Sequence, residues 1–299
     1  MVSIGAIARR ALAQSGATAA QLPGFSGSPW YRARGEIVWI GSRLPALHPR
    51  AVLISIPPPR GVALQLASIP RAAWSARLPL LDRPGLARTI DGARRLRRAF
   101  VAAETPQGFG VLLARRPPQF PLDRGMPWVN ALGEALERDD PRAAFAPARS
   151  LLGFGTGLTP SGDDLVGGAL FGRRFVAPGD RRWTSLGHRL TREICKRSHA
   201  VSAALFSDMA AGRSFAPLHE MAHALAAGDS ETALSAARAL TAIGHSSGWD
   251  MLAGFLIGIS GKARNSLRAA AQKTSGAGIL RDPARDAANE EGCGCRSPR

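Results

Sequence analysis

The chain has 299 residues, 45% of them hydrophobic, and carries 39 Lys+Arg against 22 Asp+Glu for a formal net charge of +17. That length suffices for one large domain or two ordinary ones with a sizeable core. No apolar run approaches the roughly 18–20 residues that cross a bilayer as a helix, and three cysteines without zinc-type spacing exclude a disulfide framework.

Only Lys196, Lys262 and Lys273 are lysines; the other basic residues are arginines. An arginine-biased composition makes a high positive charge without any nucleic-acid role. The densest cluster, ARRLRR over Ala93–Arg98, has no interleaved aromatics and no accompanying nucleic-acid motif. A solvated arginine face, or attraction of small anionic metabolites, accounts for it better. Neither a membrane nor a nucleic acid is expected as a partner, and the expected compartment is the cytoplasm.

Taken in chain order, MVSIGAIARRALAQSG reads as an amphipathic helix, because Arg9 and Arg10 interrupt its apolar stretch where a signal peptide would not. GEIVWIG (Gly35–Gly41), RAVLISI (Arg50–Ile56) and GVALQLAS (Gly61–Ser68) read as short strands between turn residues. FVAAET (Phe100–Thr105) and GFGVLLA (Gly108–Ala114) suggest a hairpin around Pro106-Gln107-Gly108. From Pro127 the texture becomes helical. WVNALGEALERDD places Val129, Leu132 and Leu136 on one side, and helical patterns follow around Trp183–Arg197, Ala200–Ala211, Pro217–Ala227 and Ser230–Ala242. Gly228-Asp229-Ser230 supplies a C-cap glycine followed by N-cap residues.

The expected fold is α+β: a mostly antiparallel β-rich part over 1–126, then a helical part over 127–265, then a polar tail over 266–299. A helix remnant and then disorder are expected in that tail, which holds the C-x-C of Cys293 and Cys295.

The most informative feature is an internal repeat. SGDDLVGGALFG (Ser161–Gly172) aligns without gaps to SGWDMLAGFLIG (Ser247–Gly258), 86 residues on. Ser161 and Ser247 are candidate N-caps with Asp164 and Asp250 three residues later, the capping-box spacing. Gly168 and Gly172 share one helical face, as do Gly254 and Gly258. Each interior glycine costs a helix about 0.8–1 kcal/mol relative to alanine, so four of them imply close backbone approach. The two helices are therefore expected to pack glycine face to glycine face about a pseudo-two-fold axis. An antiparallel pair would separate their starts; a pair meeting at its N-termini would bring both loops to one site.

Capping and packing leave several residues unexplained. Gly153, Gly155 and Gly157 lead into the first helix, an arrangement whose free N–H groups suit an anion. The phosphate-loop lysine and a surrounding Rossmann unit are both absent. Asp163 is an extra acid where the second copy has Trp249, and Thr159-Pro160 corresponds to His245-Ser246. His245 and His199 are further candidates for anion binding or proton transfer. HEMAH (His219–His223) fits the zincin pattern literally, but it follows a proline and has no third ligand, which favours a surface helix. No G-x-S-x-G elbow is present.

GFGTGLTPSGDDLVGGALFG, SHAVSAALFSDMAAG and AIGHSSGWDMLAGFLIGI together resemble, over about residues 148–260, a bacterial family that includes the third subunit of the oxamate carbamoyltransferase of anaerobic allantoin breakdown. The resemblance implies a subunit of a carbamoyltransferase-type complex working beside other protein subunits. The implied ligands are phosphate, carbamoyl phosphate, oxamate or a related ureido acid; the alternative is a non-catalytic scaffold or regulatory subunit. On this reading Asp163, Asp164 and His245 are the catalytic candidates. Gly155, Gly157, Thr159, Ser161, Ser247 and Asp250 are the ligand-binding ones, with Thr159 and His245 touching substrate. Because carboxylates do not suit direct contact with an anion, the aspartates either organise the loops from behind or hold a divalent cation that bridges to the ligand.

Overall fold

Short β-prone runs between turns do form a sheet in the first part of the chain. The computed structural model describes residues 3–22, 29–42, 46–55, 63–66 and 68–260. The strands are β1 (Ser3–Ile4), β2 (Thr18–Gln21), β3 (Trp30–Ala33), β4 (Glu36–Gly41), β5 (Ala51–Leu53) and β6 (Leu64–Gln65), in the order β1-β5-β4-β3-β2-β6. All pairings are antiparallel except β4 with β5. Arg34 and Gly35 join β3 to β4 with φ of 44° and 83°, the left-handed pair that a two-residue hairpin requires.

The N-terminal helix α1 (Ala6–Gln14) is amphipathic as expected. It lays Ala8, Ala11 and Leu12 on Tyr31, Val38, Ile40 and Val52. Trp30 and Ile37 of the sheet join a second, larger core made mainly by helices.

The next segment departs from expectation. Residues 100–114 form no hairpin. Phe100–Thr105 begins inside a long helix, α2 (Arg83–Ala103), and Gly108–Ala114 is a 3-10 helix. A short apolar run does not by itself separate strand from helix, and here the period belongs to α2. Its Ile90, Ala93, Leu96 and Phe100 are buried, while Arg94, Arg95 and Arg98 are exposed. The basic cluster is thus the solvated face of an amphipathic helix, capped at its start by Asp82, whose carboxylate accepts from Gly85 N at 2.7 Å.

The helical part follows the periodicity more closely: α3 (Met126–Glu137), α4 (Pro141–Leu151), α5 (Ser161–Val176), α6 (Arg181–Ile194), α7 (Ala200–Ala210), α8 (Ala216–Ala227), α9 (Ser230–Thr241) and a helix over residues 247–260, α10. Gly228 is left-handed at φ 83° and Asp229 accepts from Thr232 N, so the expected cap pair joins α8 to α9. The fold is α+β. None of its described helices is long and apolar enough to cross a membrane. The expectations for residues 266–299 lie outside the described residues.

Helices α5 and α10 lie at the centre. Nearly all of α5 is buried, and glycine is what lets α10 lie against it. A Cβ on Gly168 would overlap the Met251 carbonyl, and one on Gly254 the Leu165 carbonyl. One on Gly172 would come within 2.6 Å of Phe255 O, and one on Gly258 would overlap Ala169 O. Subtracting the 86-residue repeat turns each contact into its partner, so the two helices pack about a local two-fold axis. Leu165 meets Gly254 and Ala169 meets Gly258, so they run parallel and their N-termini come together.

A buried ion cluster ties the sheet to these helices. Arg50 beside β5 binds Asp208 of α7 through Nε at 2.6 Å and Glu36 of β4 through Nη1 at 2.8 Å, while Arg213 also reaches Asp208. Trp39 of β4 packs edge-on to Phe215, with ring centroids 6.3 Å apart.

The glycine interface makes opposite predictions for two alanine substitutions. Gly254→Ala forces apart two packed backbones and is expected to lose about 3 kcal/mol or more in chemical denaturation. Gly133→Ala, in α3 with open space around its Cβ, is expected to gain about 0.5–1 kcal/mol.

Candidate functional site

Both copies of Ser-Gly-x-Asp begin a helix by doubling the chain back on what precedes it. Before α5, Gly153 and Gly155 have φ of 76° and 112°, values that L side chains rarely adopt. Gly162 N donates to Phe154 O at 2.8 Å, and a Cβ on Gly162 would overlap Leu151 O. Before α10, Gly248 N donates to Ile243 O at 3.0 Å, and a Cβ on Gly248 would overlap Leu240 O. The glycine after each serine is therefore a steric requirement of the entry turn. These two N–H groups are spent inside their own loops, and of the glycines expected to offer free N–H groups Gly153 donates to Asp163 Oδ1 at 2.7 Å.

The capping-box reading needs correction too. The N-cap position of α5 is Pro160; Ser161 is already helical and makes no capping bond. The serines are used across the axis instead. Ser161 Oγ lies 3.4 Å from Ser246 Oγ, and Thr159 Oγ1 lies 2.8 Å from Ser247 Oγ. The Ser161 and Ser246 hydroxyls favour the ionised form of Asp250, and those of Ser247 and Thr159 favour that of Asp164. Each copy's carboxyl group is served by the other copy's first serine, as parallel helices crossing near their starts require.

These favours do not offset burial. Asp164 and Asp250 are both buried, and the Oδ2 atom of each has no hydrogen bond of normal geometry. Asp250 Oδ1 accepts from Phe109 N at 2.6 Å. Burial, then the neighbouring Asp250 charge, holds Asp164 well above the usual carboxylate range. Burial likewise pushes Asp250 up to about 7.

In front of this pair opens a cleft of about 880 Å3. Thr159, Ser161, Ser246 and Ser247 form its floor, with Thr156, Gly157 and Leu158 on one side. The segments Thr105–Gly108 and Gln119–Leu122 complete the lining, Gly108 lying against Ser246 and Leu122 against Gly155. Exposed His245 and Arg116 stand at the rim, and among the described residues no carboxylate lines the cleft.

Asp163 faces elsewhere. Its Oδ1 accepts from Gly153 N at 2.7 Å, and its Oδ2 accepts from Ser202 Oγ at 2.6 Å and from Ser198 Oγ. It therefore clamps the glycine loop to the start of α7. On that side lies a second cavity of about 450 Å3, lined by Gly153, Gly155, Gly157, Lys196, Arg197 and His199 among others. Adjacent in sequence, Asp163 and Asp164 thus diverge in space. Among the described residues no group of three or more His, Cys, Asp or Glu could hold a metal ion.

Of the sequence candidates, Gly157, Thr159, Ser161, His245 and Ser247 line one cleft, Asp164 and Asp250 lie behind its floor, and Asp163 and Gly155 lie on the far side of the loop. The zincin pattern dissolves. Its α8 is not a surface helix: it buries His219 between Trp74 and Phe171, where Nε2 accepts from Ser214 N at 3.1 Å and the pKa falls to about 4, chiefly by burial. His223 turns to Arg77 O. Missed altogether was the wall around Gly108, whose Cβ would overlap Asp250 Oδ1. Its Pro-Gln-Gly sequence signals a sharp turn, but nothing local says what the turn approaches.

Two predictions follow from the aspartates. Asp163→Ala leaves three donors without an acceptor and is expected to cost about 1–3 kcal/mol, with faster amide exchange over residues 153–157. Asp250, raised in the folded state from 3.8 to about 7, contributes stability that is complete below the unfolded value and is lost as pH rises through the folded one. Asp250→Asn keeps an acceptor for Phe109 N, so denaturation is expected to show it stabilised at about pH 8 and gaining little at about pH 4.

Comparison with known proteins adds one finding. No solved structure matches the chain. Residues 151–259, which span both entry loops, both glycine-faced helices and every candidate from Gly153 to Asp250, match the model of the family described as Oxamate carbamoyltransferase subunit AllH, the family that the motifs resemble.

Proposed function

We propose that the chain is a subunit of a carbamoyltransferase-type complex and that its cleft binds a small anionic ligand where α5 and α10 begin. The observation that carries the ligand class is the make-up of the cleft: four hydroxyls on its floor, Arg116 and His245 at its rim, and no carboxylate among the described residues that line it. Hydroxyls and a guanidinium donate to oxyanions, and the positive ends of two helices add to them. The match of residues 151–259 to the family described as Oxamate carbamoyltransferase subunit AllH supports carbamoyl transfer as the reaction class.

Such a transfer develops negative charge on the carbamoyl oxygen. Donors held at that oxygen stabilise it, a role open to the hydroxyls of Thr159, Ser161, Ser246 and Ser247 when their hydrogens face the cleft. His245 is exposed at the rim and can exchange a proton with solvent and ligand. Arg116 would hold the carboxylate or phosphate end. Asp163 shapes the loop from behind, and Asp164 and Asp250 act on the floor hydroxyls.

Calorimetry with oxamate, carbamoyl phosphate and phosphate on the full chain tests this reading. Binding is expected to weaken about tenfold or more in Arg116→Ala, the loss of one charge-assisted contact, and to weaken also in His245→Ala. Absence of heat with all three anions, together with tight binding to a partner subunit, would favour the scaffold alternative and overturn the anion site.

A further inference from the structure

We propose that the buried Asp164–Asp250 pair sets whether the cleft-floor hydroxyls donate or accept, so that capture of an anion is coupled to uptake of a proton at Asp250. This rests on the anion-binding reading of the cleft and gives that site a proton-linked control.

The argument starts from what each group has left to offer. Asp250 Oδ1 is taken by Phe109 N, while Oδ2 of Asp250 and Oδ2 of Asp164 have no partner of normal geometry. Both side chains are buried, and the hydroxyls of Ser161, Ser246, Ser247 and Thr159 interact with them and line the cleft, with Gly108 of the cleft lining against Asp250. A hydroxyl has one proton to place. An ionised carboxylate only accepts, so it draws the hydroxyl protons inward and leaves oxygen lone pairs facing the cleft. A protonated carboxyl donates its own hydrogen outward to a hydroxyl oxygen, and the hydroxyls then turn theirs toward the ligand. Only the second arrangement welcomes an anion.

The surroundings set where this change falls. The groups acting on the pair are the Phe109 N–H from the 3-10 helix, Ser246 and Ser247 from the second loop, Ser161 and Thr159 from the first, and the charge of Asp163, which points away but lies next to Asp164. The facing helix α7 presents Ser202 and Asp208, which are engaged by Asp163 and Arg50. Arg116 and His245 stand beyond the hydroxyls. Burial places Asp250 at about 7, within reach of ordinary pH.

Sulfate and oxamate are suitable probes, because neither titrates across about pH 5.5–8.5, the range over which the linkage is read. Each would be titrated into the full chain in two buffers of different ionisation enthalpy. The expected result is uptake of about one proton per anion near neutrality, and a Kd that weakens by up to about tenfold per pH unit above it. Asp250→Asn, whose amide donates to the hydroxyls as a carboxylic acid does, is expected to bind with no pH dependence beyond about twofold. Binding with no proton uptake overturns the proposal, as does an Asp250→Asn variant that keeps the wild-type pH profile. Proton uptake that disappears in His245→Ala but persists in Asp250→Asn assigns the proton to the histidine and overturns it too. No binding of either anion at any pH removes the anion site itself, a distinct result.

Discussion

The backbone-to-backbone contact between α5 and α10 is the constraint on which the site depends. Four glycines let two helices meet with carbonyl oxygens where side chains would otherwise stand. A parallel pair this close must begin at nearly the same place. That is why two loops 86 residues apart in sequence share a hydroxyl cluster, and why each Asp interacts with the other copy's serine. Two exposed carboxyl groups in separate loops would ionise independently; brought together, both resist ionising because they are buried, and the Asp250 charge adds to the burial of Asp164.

The repeat keeps its symmetry in the interior and breaks it at the edges. Asp163 and Trp249 occupy equivalent positions, and each anchors a different wall. Asp163 takes three hydrogen bonds and fixes the glycine loop against α7. Trp249 packs on Phe100 with centroids 5.2 Å apart and fills the space beside Gly110, fixing the 3-10 segment. Thr159 and His245 are likewise equivalent, one on the floor and one at the exposed rim. An almost symmetric frame thus carries a cleft with two unlike sides.

The positive charge of the chain is not concentrated at this cleft. The arginines of α2 cover a solvent face, and Arg50 is spent on Asp208 and Glu36 inside the protein. The cleft relies on one arginine, one histidine and hydroxyls, whose direction depends on what stands behind them. Its electrostatics are therefore local, set by buried neighbours and not by net charge.

The sequence alone determined the α+β division, the helices with long regular periods, the cap pair at Gly228-Asp229, and the glycine-faced pairing of α5 with α10. Each of these rests on spacing within one short segment, or on an exact repeat of such a segment. It also pointed to Thr159, Ser161, His245, Ser247 and Asp250. Only the tertiary structure decided that the pair is parallel, that Asp163 and Asp164 face opposite sides, and that Ser161 and Ser247 serve each other's copy in place of capping their own. It alone turned residues 100–114 from a hairpin into a helix end and a cleft wall, and buried His219 out of reach of a metal. Periodicity reports which residues share a face. Which partner meets that face, and how much water is left between them, is decided by packing among segments far apart in the chain.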